Sequence, residues 1–318
     1  MSEYILEVEG LVQHFKVNRK ESVHAVDGVS FKIRKGQTLG LVGESGCGKS
    51  SCARSIIRVY DPTDGTVILD GEDITHMPQK ELQPRRRKMQ MIFQDPYASL
   101  NARMTVRDII AEPLLAHHVV KSKEEANDYV YPMLERVGLT REHASRYAHE
   151  FSGGQRQRVG IARALILQPD LVICDEPISA LDVSIQAQVV NLLKDFQTEK
   201  GIAYLFIAHD LSMVRYMSDV VGVMYLGQLV ELCEAEEIYR KPLHPYTQGL
   251  LSSIPVADPK LARQKEKSGI EGDLPSPVHP PAGCRFHTRC PYAKDVCSKE
   301  VPCLKEVSPG HSVACHLY

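Results

Sequence analysis

The run Gly43-Glu44-Ser45-Gly46-Cys47-Gly48-Lys49-Ser50 constrains this chain more than any other segment. It is a complete G-x-x-x-x-G-K-S loop. The apolar stretch Thr38-Leu39-Gly40-Leu41-Val42 precedes it, and the helix-compatible Ser51-Cys52-Ala53-Arg54-Ser55-Ile56-Ile57 follows. Strand, glycine-rich turn and helix in that order build a cradle for phosphate. The glycines let backbone N–H groups turn inward without Cβ clashes, and the helix start aims its positive dipole end at the same anion. In such a loop Lys49 reaches the β- and γ-phosphates and the Ser50 hydroxyl ligates Mg²⁺. A chance lysine in a glycine-rich turn would not carry these flanks, so the segment predicts nucleotide binding.

Composition narrows the classes further. The 318 residues, 43% of them hydrophobic, suit one large domain with an appendage, or two domains. A net charge of −2 supplies no basic field for nucleic acid. The run Arg85-Arg86-Arg87-Lys88 reads as a solvated face. No apolar stretch approaches the roughly 18–20 residues that span a bilayer. The start Met1-Ser2-Glu3-Tyr4 lacks the basic opening of a signal peptide. Together these predict a cytoplasmic chain that meets a membrane only through a partner. Structural disulfides are not expected among its nine cysteines, five of which fall between Cys284 and Cys315.

The pattern of apolar runs predicts an α/β fold. Ile5–Val8, Val29–Ile33 and Thr66–Leu69 read as strands of an N-terminal β part. Residues from about 96 to 150 read as helical and polar, with Val130, Met133, Leu134 and Val137 at helical spacing. A helix through Ile161–Leu165 and the buried strands Leu171–Cys174 and Ala203–Ile207 follow. Short apolar strands alternating with helices imply a covered, mostly parallel sheet. After about residue 240 prolines accumulate, from Pro242, Pro245, Pro255 and Pro259 to Pro275, Pro277, Pro280 and Pro281. With the charged stretch 260–267, they predict an irregular C-terminal appendage.

Two further segments carry chemistry. Asp175 and Glu176 close the apolar strand that starts at Leu171. There Asp175 can hold Mg²⁺ through water and Glu176 can polarise an attacking water; an acidic turn after a strand is the plainer alternative. Phe151-Ser152-Gly153-Gly154-Gln155-Arg156-Gln157-Arg158 places a hydroxyl and two glycine amides at a helix start. That arrangement fits either a second anion site or an ordinary cap. Cys47, Cys52, Cys174 and Cys233 read as small core or loop residues.

In chain order, the phosphate loop, Gln94, Ser152-Gly153-Gly154-Gln155, Asp175-Glu176, Ser179-Ala180-Leu181-Asp182 and His209 resemble the ATP-binding cassette (ABC) transporter ATPases over roughly residues 4–240. The resemblance implies a P-loop ABC domain over 1–240, with a helical subdomain at about 96–160, and an appendage over 241–318. It implies a head-to-tail dimer with two ATP molecules at the interface. Each ATP would lie between Gly43, Glu44, Ser45, Gly46, Cys47, Gly48, Lys49, Ser50 and Ser51 of one subunit and Ser152, Gly153, Gly154 and Gln155 of the other. Glu176, His209 and Gln94 take catalytic roles in that scheme. Ser50, Gln94 and Asp175 serve Mg²⁺, and Asp182 crosses the interface. Phe15 resembles the aromatic that stacks on adenine, although it equally fits a core position.

The tail narrows the resemblance. Leu243-His244-Pro245-Tyr246-Thr247-Gln248-Gly249-Leu250, Leu274-Pro275-Ser276-Pro277 and Gly283-Cys284-Arg285-Phe286-His287-Thr288-Arg289-Cys290-Pro291 look like the oligopeptide/dipeptide importer ATPases. The stretch Asp175-Glu176-Pro177-Ile178-Ser179-Ala180-Leu181-Asp182-Val183-Ser184 looks like the F-type subunit. The family implies a D-type ATPase partner, two permease subunits, an extracytoplasmic peptide-binding protein acting through the permease, and a place on the cytoplasmic face of the inner membrane. Relatives that import nickel chelates or glutathione leave the cargo open. Some members bind an iron–sulfur cluster in the tail. The matching positions are Cys284, Cys290, Cys297 and Cys315, where a [4Fe–4S] cluster is expected over zinc; Cys303 departs from the pattern. A nucleic-acid-remodelling ATPase with a zinc tail is the competing class. It lacks support because there is no long coiled-coil insertion and no second cassette.

Overall fold

The computed structural model describes residues 2–179, 181–253, 270 and 272–318. Met1, Ala180, Pro255, Pro259 and the charged stretch 260–267 lie outside the described residues. Among the described residues the strands are β1 (Tyr4–Lys16), β2 (Ser22–Arg34), β3 (Thr38–Val42), β4 (Asp64–Leu69), β5 (Glu72–Asp73), β6 (Met89–Ile92), β7 (Leu171–Asp175), β8 (Ala203–Ile207), β9 (Val220–Tyr225), β10 (Gln228–Glu234), β11 (Lys305–Ser308) and β12 (His311–Val313). The helices are α1 (Lys49–Ile56), α2 (Gln79–Arg86), α3 (Pro96–Ser99), α4 (Val106–Ala116), α5 (Lys123–Arg136), α6 (Gly153–Leu165), α7 (Val183–Lys200), α8 (Leu211–Met217), α9 (Ala235–Arg240) and α10 (Pro245–Ser252). The chain divides into two compact units. The first is built mainly from residues 68–208, and the second from 7–32, 38–67 and 209–318.

In the first unit β6, β7 and β8 pair in parallel. Leu171, Val172, Ile173 and Cys174 are wholly buried, as are Leu205, Phe206 and Ile207. Strands covered on both faces carry unbroken apolar runs, which explains why both were legible as strands. Helices α3, α4 and α5 pack with α6. Val130, Met133, Leu134 and Val137 are buried, as their helical spacing predicts. Thr105 and Ser122 cap α4 and α5 through their side chains.

In the second unit β3 pairs in parallel with β9, from Leu39 opposite Val220 to Val42 opposite Val223. β9 returns antiparallel as β10 through the two-residue turn Leu226-Gly227. Both turn residues have positive φ, 44° and 82°, the conformation that a tight hairpin demands. β1 and β2 are longer than the apolar segments inside them suggest. Each runs through a glycine of positive φ, Gly10 at 58° or Gly28 at 77°.

The region after residue 240 carries more regular structure than its proline content predicts. α10 follows the His244 cap, and β12 pairs with both β10 and β11. The anchor is a buried carboxylate. Glu231 is fully buried on β10 and accepts from the amides of Leu243 (2.7 Å) and His244 (2.9 Å), while His311 Nε2 lies 2.7 Å from its Oε1. One side chain thus ties the start of the C-terminal region and its last strand to the sheet. His244 is itself buried, which pushes its pKa down to about 3. The neutral ring accepts from the Tyr246 amide and caps α10.

Replacing Glu231 by alanine strands these partners without solvent. The variant is expected to lose roughly 3–5 kcal/mol in urea denaturation and to gain early proteolytic cleavage after residue 240. An unchanged midpoint would remove Glu231 as the anchor.

Candidate nucleotide site

The phosphate loop forms where the sequence places it, between β3 and α1 in the second unit. Gly48 precedes α1 with φ 106°, and a Cβ there would stand 2.0 Å from the carbonyl oxygen of Ala25. A Cβ on Gly43 (φ 151°) would stand 2.2 Å from the Met224 oxygen. Both positions therefore exclude a side chain by conformation and by contact. Lys49 is buried, and its ammonium donates to the carbonyls of Gly43 (2.7 Å) and Glu44 (2.9 Å). Cys47 within the loop and Cys52 on α1 are buried; burial raises both thiols, Cys52 to about 12. They are packing groups rather than nucleophiles.

Phe15, in the same unit, packs edge-on against Tyr60 with ring centroids 5.1 Å apart and is half-buried. His209 also belongs to this unit, two residues beyond the end of β8.

Asp175, Glu176, Gln94 and the Ser152 loop belong to the first unit. Parallel register explains one pairing among them. Ile92 lies opposite Cys174, so Gln94 and Glu176 each fall two residues past that pair. Gln94 Nε2 donates to Glu176 Oε2 at 2.7 Å. Glu176 has φ 49°, a strained conformation for a side chain this large, and its amide donates to the Ile207 carbonyl (3.0 Å). Asp175 and Glu176 are both buried, at 0% and 5% exposure.

Ser152 opens α6 with a reciprocal cap. Its hydroxyl accepts from the Gln155 amide (3.4 Å), and its own amide donates to Gln155 Oε1 (3.1 Å). Ser152 is nevertheless exposed, and nothing lies within 4 Å of a Cβ built on Gly153. A cleft of about 440 Å³ brings Ser152, Gly153, Gly154 and Gln155 together with Asp182 and Ile185. Asp182 precedes α7 without capping it through its side chain and stays exposed, followed by Val183 at 76% exposure.

The C-terminal cysteines are free thiols. Burial pushes Cys284 up to about 11, with Cys297, Cys315 and Cys290 adding to the rise. Burial also raises Cys290 and Cys315, again with contributions from neighbouring thiols. Cys303 is exposed. Among the described residues, no three of these sulfurs come within 4.8 Å of one another. A tetrahedral zinc would need sulfurs about 3.8 Å apart, so the thiols do not present a zinc site. His14, His24 and Asp27 do meet within 4.8 Å, but Arg285 is paired with the Asp27 carboxylate.

Two residues that matter to the loop were missed in the sequence, Tyr246 and Arg289. Arg289 makes a two-pronged contact with Glu44, at 2.7 and 3.1 Å, and the Glu44 amide donates to the Tyr246 hydroxyl at 2.8 Å. Both residues stand inside the tail segments that carry the family resemblance, but no local pattern couples either one to Glu44.

A strand–loop–helix phosphate cradle, a strand-end carboxylate pair and a capped glycine loop at the start of α6 define an ABC ATPase. The ABC transporter family matches residues 26–179, and the family described as Oligopeptide/dipeptide transporter, C-terminal region, matches residues 230–297. The oligopeptide transport ATP-binding protein OppF of Bacillus subtilis is 57% identical over 316 residues, covering 99% of this chain and 97% of that protein. OppF of Escherichia coli is 52% identical, covering 98% and 95%. The dimeric post-hydrolysis state of the ATP-binding cassette MJ0796 bound to ADP and Pi superposes with a TM-score of 0.67 at 27% identity, covering 72% of this chain and 98% of that one. The chain belongs to the ATP-binding proteins of the oligopeptide/dipeptide ABC transporter family.

Gly48→Ala is expected to lose more than about 2 kcal/mol of stability along with nucleotide binding. Gly153→Ala, with open space around it, should stay within about 1 kcal/mol of the parent. Thermal melting with and without MgATP separates the two; equal melting temperatures would contradict the crowding at Gly48.

Proposed function

We propose that this chain hydrolyses ATP to energise import of di- and oligopeptides from the cytoplasmic face of the inner membrane. The observation that carries the reading is one chain holding a complete phosphate loop, the Gln94–Glu176 pair, and a tail that matches the oligopeptide/dipeptide transporter C-terminal region. No helix among the described residues is long and apolar enough to cross a membrane, so permease subunits would supply the path.

Mg²⁺ and ATP fit the residues present. Gly43 and Gly48 pack directly on the Met224 and Ala25 carbonyls, which fixes the loop whose amides would face phosphate, and the hard oxygens of Ser50, Asp175 and Gln94 suit Mg²⁺. Lys49 neutralises the β- and γ-phosphates. Ser45, Gly46, Cys47 and Ser51 contribute amides or a hydroxyl, and Glu44 is the loop's one carboxylate. Glu176 orients and deprotonates the attacking water, with Gln94 fixing its carboxylate and His209 facing the γ-phosphate. Phe15 stacks on the base.

The Ser152–Gln155 loop and Asp182 would act on the ATP of a second ATPase subunit in a head-to-tail dimer. The exposure of Ser152 and Asp182, and the open space at Gly153, support that reading. The family resemblance favours a D-type ATPase as that second subunit, with two permease subunits and an extracytoplasmic peptide-binding protein completing the importer. Nickel chelates or glutathione are the other cargoes to test.

We propose further that Cys284, Cys290, Cys297 and Cys315 hold a [4Fe–4S] cluster. Cys290, Cys297 and Cys315 each add to the raised pKa of Cys284. A cluster that places four irons and four sulfides between its thiolates needs wider sulfur spacing than one zinc. Its role would be to hold the tail together. Protein purified without oxygen should contain about four irons and four acid-labile sulfides per chain, and Cys290→Ser should lower both. One zinc without sulfide, or no metal, overturns the assignment.

For the ATPase, Glu176→Gln in the reconstituted transporter is expected to retain ATP binding and lose turnover by about 10²–10⁴-fold, or about 3–5 kcal/mol of transition-state stabilisation. Near-parental turnover would sink the role given to Glu176. Uptake of labelled di- and oligopeptides by a deletion strain carrying this chain tests the cargo.

A further inference from the structure

We propose that Arg289, with Tyr246, positions the phosphate loop for nucleotide, which makes the C-terminal region a working part of the ATP site. The inference rests on the ATPase reading above. Glu44 is the second residue of the loop, and it is held at two points. Its carboxylate takes both prongs of the Arg289 guanidinium, at 2.7 and 3.1 Å. Its amide donates to the Tyr246 hydroxyl at 2.8 Å. A forked contact fixes the plane of a carboxylate, which a single ammonium does not do.

The two holding groups are themselves seated. The Arg289 side chain is 6% exposed and Tyr246 is fully buried. Tyr246, Tyr225 and Phe286 form an aromatic block with ring centroids 4.6–5.4 Å apart, and Arg289 also donates to the Tyr225 hydroxyl at 3.4 Å. The arginine end of the pair is shielded from solvent, and the Glu44 side chain keeps 28% exposure, so screening is partial.

Two physical consequences follow for ATP. A carboxylate in an anion-binding loop repels the triphosphate unless a cation neutralises it, and Arg289 supplies that cation. The Glu44 carbonyl also accepts from Lys49 at 2.9 Å, so a shift of Glu44 carries to the ammonium that reads the phosphates. Arg289 touches no reacting atom; it is a positioning residue.

The test uses the assembled transporter in lipid nanodiscs, with MgATP as the probe. Equilibrium binding, turnover and melting temperature are measured for the parent, Arg289→Met, Glu44→Gln and the double variant. Arg289→Met is expected to raise both Kd and KM for MgATP about tenfold, with kcat within about twofold. The double variant should return to the affinity of Glu44→Gln alone, because the unpaired carboxylate is gone. Unchanged Kd and KM in Arg289→Met overturn the inference, as does a loss confined to kcat and melting temperature. A double variant no better than Arg289→Met overturns the route through Glu44. If Arg289→Met does not fold, Arg289→Lys carries the same comparison: it keeps the charge, loses the fork, and is expected to raise Kd about threefold. A parent complex that binds MgATP without turning it over would instead overturn the ATPase reading and leave the Kd comparison to decide this one.

Discussion

Everything at the nucleotide site depends on how closely backbone packs on backbone around the phosphate loop. The Met224 oxygen sits against Gly43 and the Ala25 oxygen against Gly48, so neither position has room for a Cβ. The amide of Gly227 closes the same frame by donating to the Cys47 carbonyl at 2.8 Å. A loop wedged this way presents its amides in one geometry and loses little entropy when an anion arrives. The buried Lys49 ammonium, tied to loop carbonyls, belongs to the same frame.

In the first unit, strand register does the comparable work. Parallel pairing of β6 with β7 brings Gln94 alongside Glu176, although 82 residues separate them in the chain. Glu176 has a positive φ, and both it and Asp175 are buried. Functional groups at the carboxyl ends of parallel strands are the expected arrangement for such a sheet. A strained non-glycine residue at that place stores conformational energy where chemistry is proposed.

The C-terminal region is joined to its unit by polar contacts with buried ends as well as by apolar packing of Tyr246 and Phe286 on Tyr225. Glu231 gathers the amides of Leu243 and His244 with His311. Arg285 pairs with Asp27 and donates to the Leu226 carbonyl, at the hairpin turn that meets the phosphate loop. Partly desolvated charge pairs of this kind are sensitive to loss of either partner, so changes in the tail reach the loop.

Much of this protein was legible in its residues. The phosphate loop, the buried strands at Leu171 and Ala203, the helical spacing of Val130, Met133 and Leu134, and the family resemblance of the tail all follow from local pattern. Local pattern suffices there because glycine conformation, strand burial and helix periodicity are short-range properties. The tertiary structure alone decided the full lengths of β1 and β2, the strands that the proline-rich tail adds beside β10, and the meeting of Arg289 and Tyr246 with Glu44. Those contacts join residues 202 and 245 positions apart. No spacing rule in a single sequence encodes such distances, because the chain between them is free to take any path until the sheet and its register bring the ends together.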